Sequence, residues 1–323
     1  MQAPEISGLP KMPELPEVET IRIQLEPVLV GRRIEELEVL DRRWTRPVNP
    51  GEVEIAVRGA TVSGVGRRGK YLLVEFEDAS SLSIHLRMTG NLLVGSSREG
   101  EEKGVPPRLG GLRLYEASPD LTHLRARFTL DDHSTLLFCD VRRFGHAVHF
   151  PDRDSRNRYL DARLGIEPLD GGLTGEKLFE ISRDRRTPLK SFLLDQHGVA
   201  GIGNIYADEA LHRAGLHPLS PAASMRPDHC DDLAEGIVAA LRLGLENGGA
   251  SIDDYRNLSG EKGEMQDEFL VHTREGEGCP RCEGEVSRIV VAGRSTYYCG
   301  GCQKRLRRSP RRSRKRRPAG RAT

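Results

Sequence analysis

Residues 193–218 read LLDQHGVAGIGNIYADEALHRAGLHP, and the fold turns on how this stretch is parsed. Gly198, Gly201, Gly203 and Gly215 punctuate it, and Asn204–Ala214 has the spacing of a helix. Gly175–Arg183, Pro188–Leu194 and a long segment near Asp228–Glu246 share that character, so residues 170–250 are predicted to be helical. Upstream the pattern changes. Val18, Ile21, Ile23, Leu25, Val28 and Leu29 predict a helix over Glu17–Val30, ended by Gly31. Short β-type segments follow at Ile34–Leu40, Val62–Val65, Tyr71–Phe76, Ser81–Leu86, Leu112–Tyr115, Ala126–Leu130, Thr135–Phe138 and His146–Phe150. Turn residues separate them, as in a sandwich or barrel. Ser96–Arg108 is polar and charged, a surface insertion between strands, and residues 253–278 read as a mobile loop. No internal repeat is present.

The chain has 323 residues, 37% hydrophobic and 30% charged, which suits about two soluble domains with small appendages. Nothing approaches the run of apolar residues that a transmembrane helix needs, and MQAPEISGLPKMPELPEVET has no apolar core for a signal peptide. The net charge of +1 conceals a split. Residues 303–323 hold eleven Lys/Arg and no Asp/Glu, whereas residues 1–302 hold 38 Lys/Arg against 48 Asp/Glu. An acidic body therefore carries a basic, low-complexity tail that reads as disordered. Disorder is also expected for the Pro- and Gly-containing leader, Met1–Lys11.

Six cysteines are too few for a disulfide scaffold. Cys279-Pro-Arg-Cys282 and Cys299-Gly-Gly-Cys302 are separated by sixteen residues. Two CxxC turns supply four thiolates, which suits one tetrahedral, structural Zn²⁺. Val286–Val291 and Ser295–Tyr298 alternate like a hairpin, making the segment a zinc ribbon. The plainer reading is two chance CxxC pairs or a redox dithiol. Cys139 reads as a buried strand cysteine and Cys230 as incidental.

Met12-Pro-Glu-Leu-Pro-Glu-Val-Glu-Thr20 crowds two prolines and three carboxylates at a helix entry. Alone, it reads as a capped helix start. It also resembles the N-terminal signature of the formamidopyrimidine-DNA glycosylase family of bacterial base-excision repair enzymes. So do GRRGKYLL (Gly66–Leu73), HLRMTG (His85–Gly90), DVRRFG (Asp140–Gly145), residues 193–218 and GRSTYYCGGCQK (Gly293–Lys304). These blocks run in family order over nearly the whole chain.

The resemblance implies an α+β multidomain fold: an N-terminal helix plus β-sandwich, a helix–two-turn–helix domain and a C-terminal zinc ribbon, with DNA in the cleft between. The implied boundaries are a leader at 1–11, a catalytic sandwich domain at 12–150 and a linker at 151–169. A helix–two-turn–helix domain at 170–260, a lesion loop and zinc finger at 261–304 and a basic tail at 305–323 follow.

The resemblance also implies roles. Pro13 matches the N-terminal proline whose amine attacks the sugar C1′ of a damaged nucleotide, and Glu14 the adjacent acid/base. Lys70 matches the lysine that supports base removal and β-elimination. Arg294 matches the arginine that holds the lesion's phosphate and aids δ-elimination. Met88, Arg142 and Phe144 match the residues that fill the space left by the flipped base. For Met88 and Phe144 taken singly, core packing is the plain reading. Gly201-Ile-Gly203-Asn204 opens a helix whose amides can receive a phosphate, with Asn204 as a further donor. Arg185 reads as a phosphate contact. His123 matches a DNA-contacting histidine or is an ordinary surface residue. His85 orients the Met88 strand or touches phosphate.

Three features depart from the family pattern. A prolyl nitrogen inside a chain is an amide, so Pro13 acts only as residue one; we take Met12 as the true start. Glu264 and Met265 stand in the loop Asn257–Phe269 where the family usually has an aromatic pair covering an everted 8-oxoguanine. The body is acidic although a DNA-binding protein is expected to be basic. The expected activity is a bifunctional glycosylase and abasic-site lyase acting on oxidised purines in damaged double-stranded DNA, as a monomer in the bacterial cytoplasm. Its rivals are an endonuclease VIII-like enzyme for oxidised pyrimidines and a non-cutting damaged-DNA binder.

Overall fold

The computed structural model describes residues 12–95, 108–109, 112–113, 123–251, 257–258 and 262–306. The leader, most of the 96–108 insertion and the tail beyond Leu306 lie outside them. The first helix, α1 (Leu15–Leu29), starts two residues before the predicted position. Glu14 caps it with extended backbone, and its N–H donates to Glu17 Oε2 at 2.8 Å. Val18, Ile21, Leu25, Val28 and Leu29 repeat at helical spacing and enter the sandwich core, while Leu15 enters the helical core. One helix therefore ties both units together.

Two four-stranded antiparallel sheets make the sandwich. One has the order β1 (Ile34–Val39), β8 (Leu124–Leu130), β9 (Thr135–Asp140), β5 (Gly90–Gly95). The other runs β10 (His146–Phe150), β4 (Ser81–His85), β3 (Tyr71–Phe76), β2 (Val62–Arg68). Their inner faces share one core in which Trp44 lies 5.4 Å from Phe138 and 6.1 Å from Phe128, centroid to centroid. A short ladder joins β6 (Arg108–Leu109) to β7 (Leu112–Arg113).

Three elements depart from the sequence reading. β5 is flanked by glycines, which hid its strand character. α2 (Pro50–Val57) is short, and Asn49 caps it by accepting from Gly51 N. α3 (Arg153–Asp161) lies inside the segment predicted to be a linker. Its sequence is almost wholly polar, but Leu160 and nearby Leu164 pack on Tyr71, Leu73 and Ala200.

The helical unit contains α4 (Gly175–Ser182), α5 (Leu189–Leu194), α6 (Asn204–Arg213) and α7 (Pro227–Glu246). Every residue of α6 from Ile205 to His212 is buried, Asp208 and Glu209 included. α7 crosses it closely because Gly236 and Gly244 lack side chains. A Cβ there would lie 2.9 Å from Ala210 O and 2.5 Å from the Tyr206 ring.

Part of the predicted mobile loop is firmly placed. Met265 and Phe269 belong to the helical core, and Val271 and His272 are buried beside it. The Glu209 carboxylate accepts the backbone N–H groups of Leu270, Val271 and His272, each at 3.0 Å. β11 (Val286–Val291) and β12 (Arg294–Cys299) form the predicted hairpin. Among the described residues, no helix is long and apolar enough to cross a membrane.

Candidate active site

Pro13 and Glu14 are buried where α1 meets the N-terminus of α6. Glu14 Oε1 accepts from Ile205 N at 2.9 Å, and Tyr206 N approaches Oε2 at 3.4 Å. The next peptide is pinned as well, since Leu15 N donates to Gly201 O at 3.0 Å. The glycines make this approach possible. Gly201 sits at φ +85, where a Cβ would lie 2.5 Å from Leu15 Cδ1. A Cβ on Gly203 would lie 2.2 Å from Glu14 Cδ.

This changes the reading of the GIGN turn. The first free amides of α6 face a carboxylate of the chain itself, not an open anion site, and the helix dipole favours that charge. Asn204 bridges to the ribbon, donating Nδ2–H to Ser295 O at 2.9 Å, while its buried Oδ1 has no partner among the described residues.

Glu17 lies one turn along α1. It accepts from Glu14 N, Tyr206 Oη and Ala250 N, yet burial, followed by the charge of Glu14, raises its pKa to about 7. Lys70 sits in the β2–β3 turn after Gly69 and is 3% exposed. Burial lowers its pKa; Arg294 and Arg87 push the same way, against Glu14 and Glu17. Glu14, Glu17 and Arg294 thus all act on Lys70, although they come from distant parts of the chain. The Lys70 turn is braced by Glu167, which accepts from Gly69 N at 2.8 Å and pairs with Arg67 at 2.7 Å. Arg294 is exposed and follows Ala292 and Gly293, both at positive φ, in a two-residue hairpin turn.

Met88, Arg142 and Phe144 stand on neighbouring turns. Met88 is half-buried and Phe144 is 51% exposed, so core packing does not account for Phe144. The Arg142 guanidinium lies 4.9 Å over the Phe144 ring. Buried Asp140 joins the two turns, accepting from Thr89 Oγ1, Arg142 N and Gly145 N. His85 Nδ1 accepts from Arg87 N at 3.0 Å, shaping the turn before Met88. Burial holds its pKa well below the usual range. His123 is half-buried near Arg125, which donates to Asp140 O. Arg185 is exposed and 3.7 Å from Asp195.

Several participants escaped the sequence reading. Lys190 is fully buried, donating to Asp208 Oδ1 and Asn204 O, each at 2.6 Å; His272 Nδ1 meets Asp208 Oδ2 at 2.8 Å. Burial lowers the Lys190 pKa. Lys190 is therefore an internal brace. Glu17 had a signal in PELPEVE, and Glu167 had none.

The sulfurs of Cys279, Cys282, Cys299 and Cys302 all lie within 4.8 Å of one another. Arg281 N and Gly284 N each donate to a cysteine sulfur at 3.4 Å. A Cβ on Gly301 would lie 2.9 Å from Cys282 Sγ, so the glycine leaves room for the sulfurs. This donor set fits one Zn²⁺. Of the remaining cysteines, Cys230 is the buried one, in the helical core, with its thiol pushed up to about 11, whereas strand residue Cys139 is half-buried.

Comparison with known proteins gives the same arrangement. The sequence profiles of the formamidopyrimidine-DNA glycosylase N-terminal domain, its H2TH domain and the zinc finger found in FPG and IleRS match residues 12–147, 164–256 and 276–305. The formamidopyrimidine-DNA glycosylase of Roseiflexus sp. is 44% identical over 91% of this chain and 100% of its own. That of Chloroflexus aurantiacus is 42% identical over 90% and 98%. The Lactococcus lactis Fpg bound to abasic-site DNA superposes with a TM-score of 0.77 at 32% identity, covering 90% of this chain and all of that one. MutM in complex with DNA containing carbocyclic 8-oxo-G gives 0.77 and 32% over 91% and 100%. On these sequence matches and this fold, the chain belongs to the formamidopyrimidine-DNA glycosylase family.

Proposed function

We propose that this protein is a bifunctional DNA glycosylase and abasic-site lyase of base-excision repair, acting on formamidopyrimidine and 8-oxoguanine in duplex DNA. The observation that carries the reading is the seat of Glu14: a buried carboxylate beside Pro13, held by amides of α6 and within the electrostatic reach of buried Lys70. The Pro13 nitrogen, as a free secondary amine, forms a bond to C1′ while the bond from C1′ to the base breaks. The base leaves with that electron pair and takes up the proton that the proline nitrogen gives up on bonding C1′. Glu14 delivers a proton to O4′ as the C1′–O4′ bond opens, leaving an iminium. Loss of a C2′ proton and the 3′-phosphate is the β-elimination; loss of a C4′ proton and the 5′-phosphate is the δ-elimination.

Lys70 supports base release and the first elimination, and Arg294 holds the phosphate at the lesion. Met88, Arg142 and Phe144 enter the vacated stack, with Arg142 bonding the orphaned opposite base. His85, His123, Arg185 and Asn204 contact the backbone around the lesion; for Asn204 this requires release of Ser295 O. Zn²⁺ on Cys279, Cys282, Cys299 and Cys302 supplies structure only. The protein acts as a monomer in the bacterial cytoplasm, bound to DNA at the nucleoid.

The test is borohydride trapping on an abasic duplex with protein beginning at Pro13. A covalent adduct that Pro13→Gly abolishes is expected. No adduct from that protein would leave a damage-binding protein without lyase chemistry. A panel of formamidopyrimidine, 8-oxoguanine and thymine glycol duplexes tests the substrate class, and preference for thymine glycol would overturn it.

A further inference from the structure

We propose that His212 is a positioning residue that donates its Nε2–H to the zinc-binding sulfurs of Cys279 and Cys302, fastening the ribbon to α6. Its Nε2 lies 3.3 Å from Cys279 Sγ and 3.6 Å from Cys302 Sγ, and the residue is fully buried. Its Nδ1 is buried without a partner among the described residues. That asymmetry assigns the tautomer. A bare ring lone pair facing thiolates would be repelled, whereas an N–H there offsets their charge. An unbonded Nδ1 lone pair costs less than an unbonded N–H would.

The contact is reciprocal. Arg281, between the first two cysteines, sends its guanidinium back to the carbonyls of His212 and Arg213 at the end of α6. At the other end of the same helix, Ile205 N holds Glu14 and Asn204 holds Ser295, the neighbour of Arg294. α6 is therefore a strut with the carboxylate at one end and the metal at the other. His212 keeps the ribbon, and with it Arg294, in register with Glu14.

The experiment uses the zinc-loaded full chain and follows zinc transfer to excess chromogenic chelator. His212→Phe fills the same space without a donor and is expected to release zinc about 10- to 100-fold faster, as loss of a partner behind a metal ligand typically does. His212→Gln carries an amide N–H to a similar point and is expected to restore slow release. Cobalt-substituted wild type and His212→Phe are expected to share tetrathiolate absorption bands, because the imidazole does not bind the metal. Wild-type release from folded His212→Phe would overturn the proposal. Cobalt bands of three sulfurs and one nitrogen, lost on substitution, would overturn it differently, making His212 a ligand. Should His212→Phe fail to fold, ¹⁵N spectra of the wild-type imidazole decide, with protonated Nε2 expected and protonated Nδ1 refuting.

Discussion

Replacing Gly203 with alanine tests whether the Glu14 carboxylate must sit against α6. The new Cβ would fall 2.2 Å from Glu14 Cδ, 2.4 Å from Oε1 and 2.6 Å from Cγ. Ordinary carbon contact is about 3.5 Å, so the carboxyl must retreat by roughly 1.3 Å. It is the far end of a side chain, so the fold survives by moving it, but the move breaks the 2.9 Å bond from Ile205 N. A hydrogen bond to a charged group is worth about 1.5–3 kcal/mol. Misplacement of a reacting group by about 1 Å costs about 100-fold in rate. Single-turnover base release by Gly203→Ala on a formamidopyrimidine duplex should therefore fall about 100-fold, with binding to an uncleavable abasic analogue near wild type. The double variant Gly203→Ala, Glu14→Gln should be no slower than Glu14→Gln alone, since both act through one carboxylate. A wild-type rate for Gly203→Ala, or additive losses in the double variant, would refute the reasoning.

Further expectations concern the buried charges and the metal. Glu17 holds its proton to about pH 7 against an ordinary 4.5, so the stability this proton confers is complete below 4.5 and lost as pH rises to about 7. At 1.36 kcal/mol per unit the loss is about 3 kcal/mol; Glu17→Gln should flatten urea-measured stability over that window, and an unchanged slope would count against it. Asp208→Asn strips buried Lys190 of its counter-charge and should cost about 3–5 kcal/mol in denaturant unfolding. Lys190→Met with Asp208→Leu should cost less, because no unpaired charge is left behind. Cys299→Ser should hold less than one zinc per chain and bind damaged duplex weakly; full zinc with normal binding would contradict the ribbon's role. Deletion of residues 305–323 should reduce the salt dependence of non-specific DNA binding while leaving single-turnover cleavage intact at low salt.

Much of this was written locally. Apolar spacing in residues 15–29, the alternating strands, the two CxxC turns and the Val286–Tyr298 hairpin are short-range patterns, and a period of a few residues reveals them. The resemblance placed Pro13, Glu14, Lys70 and Arg294 in one site before any geometry was known. Where local signal was weak, the reading failed. α3 has a narrow apolar stripe in a charged sequence, β5 is masked by glycine, and the short apolar run Phe269–Val271 is lost in the polar stretch 253–278, although Glu209 binds the backbone of Leu270–His272.

The sequence by itself determined most of the secondary-structure units, the four sulfur ligands and the family resemblance, because each depends on residue type at short spacing. Only the tertiary structure decided what the GIGN turn receives, since Glu14 is 191 residues from Ile205. It alone placed Lys190 inside, raised Glu17 and set His212 against the cysteines. Burial and the field of distant charges follow from packing, and packing is written in no single stretch of the chain.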